Sequence, residues 1–415
     1  MEHFIKEIRI NNVRHLKNIS ISLDSDHRQH LILTGRNGSG KTSVLDEIAN
    51  NLVILNKSEQ VNNLLEARRT LRQLRTSLQT EQNEDERKYI ARQISAFEST
   101  FSAIRCPETG LDVIYNQEED LPTLYRNGGF ITAFFAAGRP SNDIASAHGV
   151  EEVRLPYSMR VTESPARDIM KYMVHLKTQQ SYAKNENDMQ NERYIGEWFD
   201  RFEEALRTLL DDDSIELKYD YRNYSFVIYQ KNRNPSSLNE LSDGYSSILR
   251  ILSDLIMRMD QNWLHTNQLS EYNKEGVVLI DEVETHLHIE LQRKILPFLT
   301  KFFPRLQFIV STHSPYVLTS LSNVVVYDLE RQVMLSDLSE YSTDDVANGF
   351  FEAESYSVEL EETLNRYKEL LLKPDISDDE RAERADLRIK LKNIPGEFGR
   401  SIRAEFDTLE QERQR

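Results

Sequence analysis

A glycine-rich run near the N terminus has the residue types and the spacing that bind phosphate. Residues 35–42 read GRNGSGKT, between an apolar run at 30–34 and a helical pattern at 43–55. Glycines let backbone N–H groups converge on phosphate oxygens, and the following helix adds the positive end of its dipole. Lys41 would contact the β- and γ-phosphates of a nucleotide, and the Thr42 hydroxyl would bind Mg²⁺. We therefore predict that the nucleotide is bound by Arg36, Asn37, Gly38, Ser39, Gly40, Lys41, Thr42 and Ser43.

A pair of carboxylates follows an apolar run in the second half of the chain. Residues 277–280 read VVLI and are followed directly by Asp281 and Glu282. A buried parallel strand would deliver both side chains to the carboxyl edge of its sheet. Asp281 is predicted to join the Mg²⁺ shell, and Glu282 to polarise the water that attacks the nucleotide. Downstream of a phosphate loop, this pair predicts hydrolysis as well as binding.

Two more segments have residues that can contact the same phosphates. Ser242 and Gly244 precede an amphipathic helical pattern that runs to Met259, so the start of that helix would form an anion site. A plain capped helix is the alternative when this segment is considered alone. His313 follows the apolar run 308–310 and would lie at the same sheet edge, within reach of a γ-phosphate. Together with Glu282 and Lys41, His313 completes the predicted catalytic set.

The elements that must position these residues predict an α/β fold. Apolar runs at 277–280 and 308–310 flank a helical pattern at 290–303, which is a βαβ unit and implies a parallel sheet. Residues 58–105 contain no Gly or Pro and show heptad-like spacing. They predict an antiparallel coiled-coil hairpin about 30 Å long, with two ordinary surface helices as the alternative.

The predicted domains follow from these patterns. They are a head lobe with the phosphate loop (1–57), the helical insertion (58–105), a mixed α/β part of the head (106–240), a part with the other motifs (241–340), and a C-terminal helical segment (341–415).

The composition limits the class of protein. Its 415 residues carry a formal net charge of −17, which argues against wholesale coating of nucleic acid but allows a local basic groove. No apolar run approaches the roughly 20 residues that a membrane helix needs, so no membrane contact is expected. The single cysteine, Cys106, excludes a disulfide framework and a metal site built from several cysteines. We expect a cytoplasmic protein.

The four motifs occur in the order Walker A, signature, Walker B and switch histidine, and together they resemble the ABC-type ATPase domain. The resemblance covers residues 1–55 and 235–330. It implies an ABC-type P-loop ATPase head that hydrolyses ATP, with ATP and Mg²⁺ as cofactors. In that family the signature of one protomer completes the ATP site of another, so Ser242 and Gly244 are expected to act in trans within a head-to-head homodimer or higher homo-oligomer. The long interval between loop and signature resembles the SMC, RecF and OLD-nuclease branch rather than transporter subunits.

The segment after the carboxylate pair narrows the resemblance. Residues 281–288 read DEVETHLH and resemble the D-E-P-E-x-H-L-H-P string of bacterial AAA-family ATPases, with Val283 and Ile289 in place of the prolines. The nearest group is that of Septu and retron-associated ATPases of the PtuA type, with the AriA type of PARIS systems second. This resemblance implies a regulatory subunit of an anti-phage complex. His286 and His288 suggest a metal, but two histidines without a third ligand form a weak site, and a place at the dimer interface is preferred.

The motifs that are missing shape the partner prediction. No C-x-x-C lies near residues 80–86, which excludes a zinc hook, and no nuclease motif is recognised after His313. We therefore expect the nuclease activity on a separate subunit, of the HNH or Toprim type. The alternative is a RecF- or SMC-like repair ATPase that binds DNA or RNA directly. The arginines that would make that contact are Arg68, Arg69, Arg72 and Arg75.

Overall fold

The computed structural model contains two compact units, Met1–Ser342 and Thr343–Arg415. The residues that the structure describes are 2–53, 70, 73–74, 76–78, 83–104, 110–117, 120–138, 144–156, 158–231, 233–261, 273–336, 338–343, 345–347, 358–373, 375–393 and 400–413. All residues predicted to contact nucleotide are among them, and all belong to the first unit.

The first unit combines strands and helices along its whole length. Its described strands are β1 (Ile5–Val13), β2 (Leu16–Ser22), β3 (His30–Thr34), β4 (Leu111–Tyr115), β5 (Phe130–Phe135), β6 (Glu216–Asp220), β7 (Ser225–Tyr229), β8 (Ser236–Ser237), β9 (Glu275–Ile280), β10 (Leu306–Ser311), β11 (Val324–Asp328) and β12 (Val333–Ser336). Its described α-helices are α1 (Lys41–Val53), α2 (Glu84–Ile104), α3 (Leu121–Arg126), α4 (Ile169–Asn185), α5 (Met189–Leu210), α6 (Asp243–Met259), α7 (Ile289–Phe302) and α8 (Pro315–Leu318). Within the described part of the chain, no helix is both long and apolar enough to span a membrane.

A six-stranded sheet forms the centre of this unit, in the order β12-β11-β3-β10-β9-β5. The strands from β11 to β5 are parallel, and β12 pairs antiparallel at the edge. Every residue of β3, β9, β10 and β11 is buried, as expected for parallel strands that are covered on both faces. The predicted α/β class with a parallel sheet is confirmed. The carboxyl ends of these strands meet at one edge, where ligands bind in such folds.

Helix α1 packs against both the central sheet and a smaller antiparallel sheet of order β2-β1-β4. The apolar residues of α1 share one core with alternate residues of three central strands: Val44, Leu45, Ile48, Leu52, Leu31, Leu33, Val277, Leu279 and Ile309. Because this core fixes the first turns of α1, it also fixes the loop that precedes them.

Helix α6, which starts at the predicted signature, is tied to β5 by a buried arginine. The Nε of Arg258 lies 2.6 Å from Oδ1 of Asp254, one turn earlier, and both side chains are buried. The Arg258 guanidinium also donates to the carbonyl of Thr132 in β5 at 2.7 Å, and to the carbonyls of Arg160 and Glu163. Removing one partner of a buried ion pair costs roughly 3–5 kcal/mol. The C-terminal half of α6 is therefore fixed to β5.

A second buried polar cluster lies at the end of α6. Asp260 caps the helix and accepts hydrogen bonds from Trp198 Nε1 at 2.7 Å and from the Tyr172 hydroxyl at 3.0 Å. Burial raises the pKa of Asp260 to about 7, and the two hydrogen bonds oppose the shift. Burial also lowers the pKa of the neighbouring Lys274 to about 8. This cluster joins α4, α5 and α6.

The predicted helical insertion is described only in part. Helix α2 corresponds to its second helix, whereas most of residues 54–82, which contain the first, lie outside the described residues. The four arginines proposed for direct DNA contact also lie outside them. Strands β6 and β7 form an antiparallel hairpin, with Asp220 opposite Ser225.

The second unit is a small helical assembly of α9 (Val358–Leu372), α10 (Asp378–Lys392) and α11 (Arg400–Arg413). The three helices bury a common cluster of Leu364, Tyr367, Leu391 and Phe406. Ion pairs link every pair of these helices: Arg366 of α9 to Glu383 of α10, Lys368 of α9 to Glu405 of α11, and Arg388 of α10 to Glu410 of α11. Two apolar side chains, Leu372 and Ile389, remain 80% and 58% exposed.

Candidate active site

The glycine-rich loop lies between the end of β3 and the start of α1. Gly35, Gly38 and Gly40 have φ angles of 130°, 84° and 99°, which glycine adopts readily and other residues do not. A Cβ atom on Gly35 would lie 2.9 Å from the Ser39 hydroxyl oxygen, so the loop closes tightly on itself. The spacing of the glycines in the sequence is thus the spacing of the positive φ angles in the loop.

Lys41 is the first residue of α1 and lies across this loop. Its side chain is buried, and Nζ donates to the carbonyls of Gly35 at 2.9 Å and Arg36 at 3.1 Å. Burial lowers the pKa of Lys41 below its ordinary value. Nearby carboxylates oppose that shift, and they belong to Asp281, Glu282, Glu284 and Asp328. The structure therefore places the lysine of the loop beside the carboxylates at the ends of β9 and β11.

The loop also holds a buried hydroxyl that lacks a partner among the described residues. The Ser39 Oγ is inaccessible to solvent and makes no hydrogen bond there, and the same is true of Thr34 Oγ1 at the end of β3. Buried hydroxyl groups ordinarily have a hydrogen-bond partner. Phosphate oxygens would supply one. Together with the glycines and Lys41, this hydroxyl fits a bound nucleotide.

Asp281 and Glu282 directly follow β9 and are fixed by Ser311 at the end of β10. Asp281 is 1% exposed and accepts a hydrogen bond from the Ser311 hydroxyl. The hydroxyl oxygen of Ser311 in turn accepts the backbone N–H of Glu282 at 2.8 Å. Glu282 has a φ of 44°, a left-handed conformation that costs a non-glycine residue roughly 1–3 kcal/mol. The Thr285 hydroxyl donates to Glu282 Oε2 at 3.2 Å, so the carboxylate is oriented as well as the backbone.

His313 is joined to Glu284 across the same edge. The backbone N–H of His313 donates to Glu284 Oε1 at 2.5 Å. The other oxygen, Oε2, is buried and has no hydrogen-bond partner among the described residues. Burial and repulsion by Lys41 lower the pKa of His313, and the carboxylates oppose this shift. A lowered pKa favours the neutral imidazole at pH 7.

Two acidic residues at this edge have no predicted role. Glu284 fixes the backbone of His313. The sequence feature that could have identified it is its place as the third acidic residue within four positions, after Asp281 and Glu282. Asp328 is buried at the end of β11, and its Oδ1 lies 3.3 Å from the position of a Cβ atom on Gly35. Its signal is an acidic residue directly after the apolar run 324–327, the pattern that identified Asp281.

The turn between β1 and β2 contacts the far end of the loop. A Cβ atom on Gly40 would lie 3.0 Å from Leu16 Cδ1 and 3.5 Å from His15 Cε1. Burial and the charge of Asp281 raise the pKa of Asp46 on α1, and Arg14 in the turn opposes that shift. The turn therefore forms one wall of the candidate site.

Ser242 and Gly244 lie at the start of α6 and have different surroundings. Ser242 is exposed at the N-cap position, and its side chain makes no capping hydrogen bond. A Cβ atom on Gly244 would lie 2.8 Å from the carbonyl oxygen of His286, so packing within the chain explains this glycine. Helix α6 packs on the 3-10 helix Pro165–Asp168 and on β5, α4 and α7, whereas α1 packs on β1, β4, β9 and β10. The main neighbours of the two helices are thus different.

The two histidines after the carboxylate pair are exposed. His286 has a φ of 66° and lies in the turn before α7, and His288 is the N-cap residue of α7. The part of the chain that the structure describes contains no group of three or more His, Cys, Asp or Glu side chains suited to a metal ion. The histidines are therefore not part of a metal cluster among these residues.

Known proteins show similarity to this chain in sequence and in fold. Residues 140–319 match the family described as "AAA domain, putative AbiEii toxin, Type IV TA system". The chain is 24% identical over 405 residues to the Septu protein PtuA of Bacillus mycoides (strain KBAB4), covering 94% of this chain and 50% of that protein. It is 36% identical over 105 residues to the Retron Ec83 probable ATPase of Escherichia coli, covering 25% of this chain and 19% of that protein. A solved SMC head bound to the C-winged helix domain of ScpA covers 82% of this chain and 100% of its own, with 12% identity and a TM-score of 0.40.

The sequence similarities to the Septu and retron proteins confirm the resemblance that the motifs predicted. The chain is related in sequence to the Septu protein PtuA and to the retron protein named as a probable ATPase. Its aligned region spans about half, or less, of the length of those relatives.

Proposed function

We propose that this protein is an ABC-type ATPase that binds ATP with Mg²⁺ and hydrolyses it. The observation that carries the proposal is the convergence of Lys41, Asp281, Glu282 and His313 at the carboxyl edge of the parallel sheet, beside a glycine-rich loop. Similarity to proteins named as ATPases supports the same reaction.

Binding would use the loop and the start of α1. Lys41, desolvated and held across the loop, would turn its Nζ from the backbone carbonyls to the β- and γ-phosphates. Ser39 would donate its buried hydroxyl to a phosphate oxygen, and the α1 N-terminus would add its positive dipole end. Thr42 and Asp281 would hold Mg²⁺, which when bound neutralises charge on the β- and γ-phosphate oxygens.

Hydrolysis would use the groups at the end of β9. Glu282 would accept the proton of the attacking water, since its backbone is held by Ser311 and its carboxylate by Thr285. His313, favoured as the neutral imidazole, would hydrogen-bond the γ-phosphate. Glu284 would keep His313 in place by binding its backbone N–H.

We further propose that each site is completed by a second protomer. Ser242 is exposed and its hydroxyl is not used to cap α6, so the start of this helix can face the γ-phosphate of another molecule. The different main neighbours of α6 and α1 support an action in trans, in a head-to-head dimer.

The test combines two variants. Lys41→Ala should lose ATP binding, because it removes the cation that contacts the phosphates. Ser242→Arg should bind ATP but not hydrolyse it. Mixing the two variants should restore part of the activity, because a mixed dimer contains one composite site with an intact loop and an intact signature. ATP binding by Lys41→Ala at wild-type affinity would contradict the assignment of the loop. Mixed dimers without any recovered activity would contradict completion in trans.

The biological role proposed here follows from the Septu and retron relatives. We propose a cytoplasmic regulatory subunit of an anti-phage complex, in which the nucleotide state controls a nuclease on a separate polypeptide. The exposed Leu372 and Ile389 of the second unit are the proposed contact. Co-purification with the product of a neighbouring gene tests this contact. The double variant Leu372→Asp with Ile389→Asp should abolish the co-purification. Undiminished co-purification of that double variant would contradict the contact. Nuclease activity of the purified chain alone would contradict a separate nuclease.

A further inference from the structure

We infer that Glu330 is a positioning residue of the nucleotide site, which holds the first half of the glycine-rich loop in its binding shape through Arg36. This role rests on the proposed function, because it concerns the same loop. Glu330 lies in the turn between β11 and β12, far along the chain from the loop that it contacts.

Arg36 is held from both sides. Glu330 Oε2 accepts its backbone N–H at 3.2 Å, and Glu330 Oε1 lies 3.8 Å from its Nε. The carbonyl of Arg36 accepts Lys41 Nζ at 3.1 Å. When Lys41 turns to the phosphates, that carbonyl still accepts the backbone N–H of Ser39, at 3.1 Å and within the loop itself. Glu330 then remains as a contact that joins this half of the loop to the end of β11.

Glu330 is itself carried on a rigid turn. Asp328 Oδ1 accepts the backbone N–H groups of Glu330 at 2.9 Å and Arg331 at 3.1 Å, which closes the turn. The backbone N–H of Leu329 donates to the Thr34 carbonyl at 3.0 Å, and so extends the pairing of β11 with β3 up to the loop. The carboxylate therefore reaches Arg36 from a support that is continuous with the central sheet.

This half of the loop has little packing of its own. Arg36, Asn37 and Gly38 are exposed, unlike the buried Ser39 and Lys41 that follow. A loop that is not held must be ordered when the ligand binds, and that ordering reduces the affinity. The Arg36–Glu330 ion pair is exposed on both sides, at 56% and 43%, so the backbone hydrogen bond carries most of the effect. Losing one such bond should weaken ATP binding by about threefold to tenfold.

Three variants of Glu330 separate the length of the side chain from its charge, and a fourth variant is a control. Glu330→Ala removes both, Glu330→Asp keeps the charge but is too short to reach the Arg36 N–H, and Glu330→Gln keeps an acceptor at the same reach without the charge. Glu340→Ala is the matched control, because Glu340 is an exposed glutamate ten residues further on. The affinity for a fluorescent ATP analogue, the KM and kcat for ATP, and the thermal unfolding temperature are measured for each.

We expect Glu330→Ala and Glu330→Asp to raise the dissociation constant and KM by about threefold to tenfold with kcat within about twofold. Glu330→Gln and Glu340→Ala should match the wild type. The inference is overturned if Glu330→Asp binds ATP as tightly as the wild type, or if Glu330→Gln loses as much affinity as Glu330→Ala. It is also overturned if kcat falls and KM does not change. If the wild type itself binds no ATP, or binds it no better than Lys41→Ala, the proposed function fails instead.

Discussion

Replacing Glu282 by Gln isolates the proposed chemical step from nucleotide binding. Gln has the same length and shape as Glu, so it can keep the hydrogen bond from the Thr285 hydroxyl, which is 3.2 Å long in the wild type. The backbone contact to Ser311 does not involve the side chain and is retained. The φ of 44° is equally demanding for both residues. The substitution therefore removes the proton acceptor, together with one negative charge near Lys41 and His313.

The expected effects differ in size for chemistry, binding and folding. A positioned general base contributes about 10²- to 10⁴-fold to a rate, so kcat should fall by that factor, which corresponds to about 3–5 kcal/mol. Affinity for ATP should change by less than about twofold, because the loop and Lys41 are untouched. The free energy of unfolding should change by less than about 1 kcal/mol, since one hydrogen bond is altered rather than lost. ATP should then accumulate in a closed dimer.

Steady-state phosphate release gives kcat, binding of a fluorescent ATP analogue gives affinity, and light scattering with size exclusion gives the oligomeric state. Glu290→Gln is the matched control, because Glu290 is an exposed glutamate in the first turn of α7. Turnover by Glu282→Gln at the wild-type rate would refute the role of Glu282. A loss of ATP binding equal to that of Lys41→Ala would refute the separation of chemistry from binding.

Three further outcomes are expected. Gly244→Ala should lower the free energy of unfolding by roughly 1–3 kcal/mol, because the new Cβ atom would lie 2.8 Å from the carbonyl oxygen of His286. In the control Gly196→Ala, the new Cβ atom meets only the flexible Gln180 side chain, at 3.3 Å. Thermal unfolding of the two variants gives the comparison. Folding raises the pKa of Asp260 from 3.8 to about 7, so between these pH values the folded state holds a proton that the unfolded state has released. The free energy of unfolding, measured by urea denaturation, should therefore fall as the pH rises through that range. Asp260→Asn should remove that slope, and an unchanged slope would refute the assignment. Since burial and Lys41 lower the pKa of His313, the contribution of His313 to the acid limb of the pH–rate profile should lie below 6.5 and should be absent in His313→Gln.

Motifs that are local in the sequence predicted residues that the fold brings to one edge of the sheet. The glycine spacing, Lys41 and the acidic pair after an apolar strand are each contained in a few residues, and the parallel sheet then places them at one edge. Contacts between distant segments were beyond such reasoning. Glu330 reaches Arg36, and Glu284 reaches the backbone of His313, only because strands far apart in sequence end side by side. The packing of Gly244 on the His286 carbonyl likewise depends on a turn more than forty residues away.

Helical periodicity has a similar limit. It predicted the amphipathic pattern of α6, and it predicted a helical segment at the C terminus. It gives no sign of the cluster of Asp260 with Trp198 and Tyr172, because polar side chains that meet in a core leave no periodic pattern. Within the C-terminal helical segment, Leu364 and Leu391 are buried against neighbouring helices of the second unit.

The anchoring of α6 has a consequence for cooperativity. Arg258 joins the far end of α6 to β5, and the last carbonyl of β5, that of Phe135, accepts the backbone N–H of Asp281 at 2.8 Å. A displacement at Ser242 would therefore reach Asp281 along helix α6, through the Arg258 contact and then along strand β5. In the proposed dimer, Ser242 and Asp281 of one protomer contact different ATP molecules, one in each site. We expect a Hill coefficient above 1 for ATP turnover, and a return towards 1 when Arg258→Met releases α6 from β5.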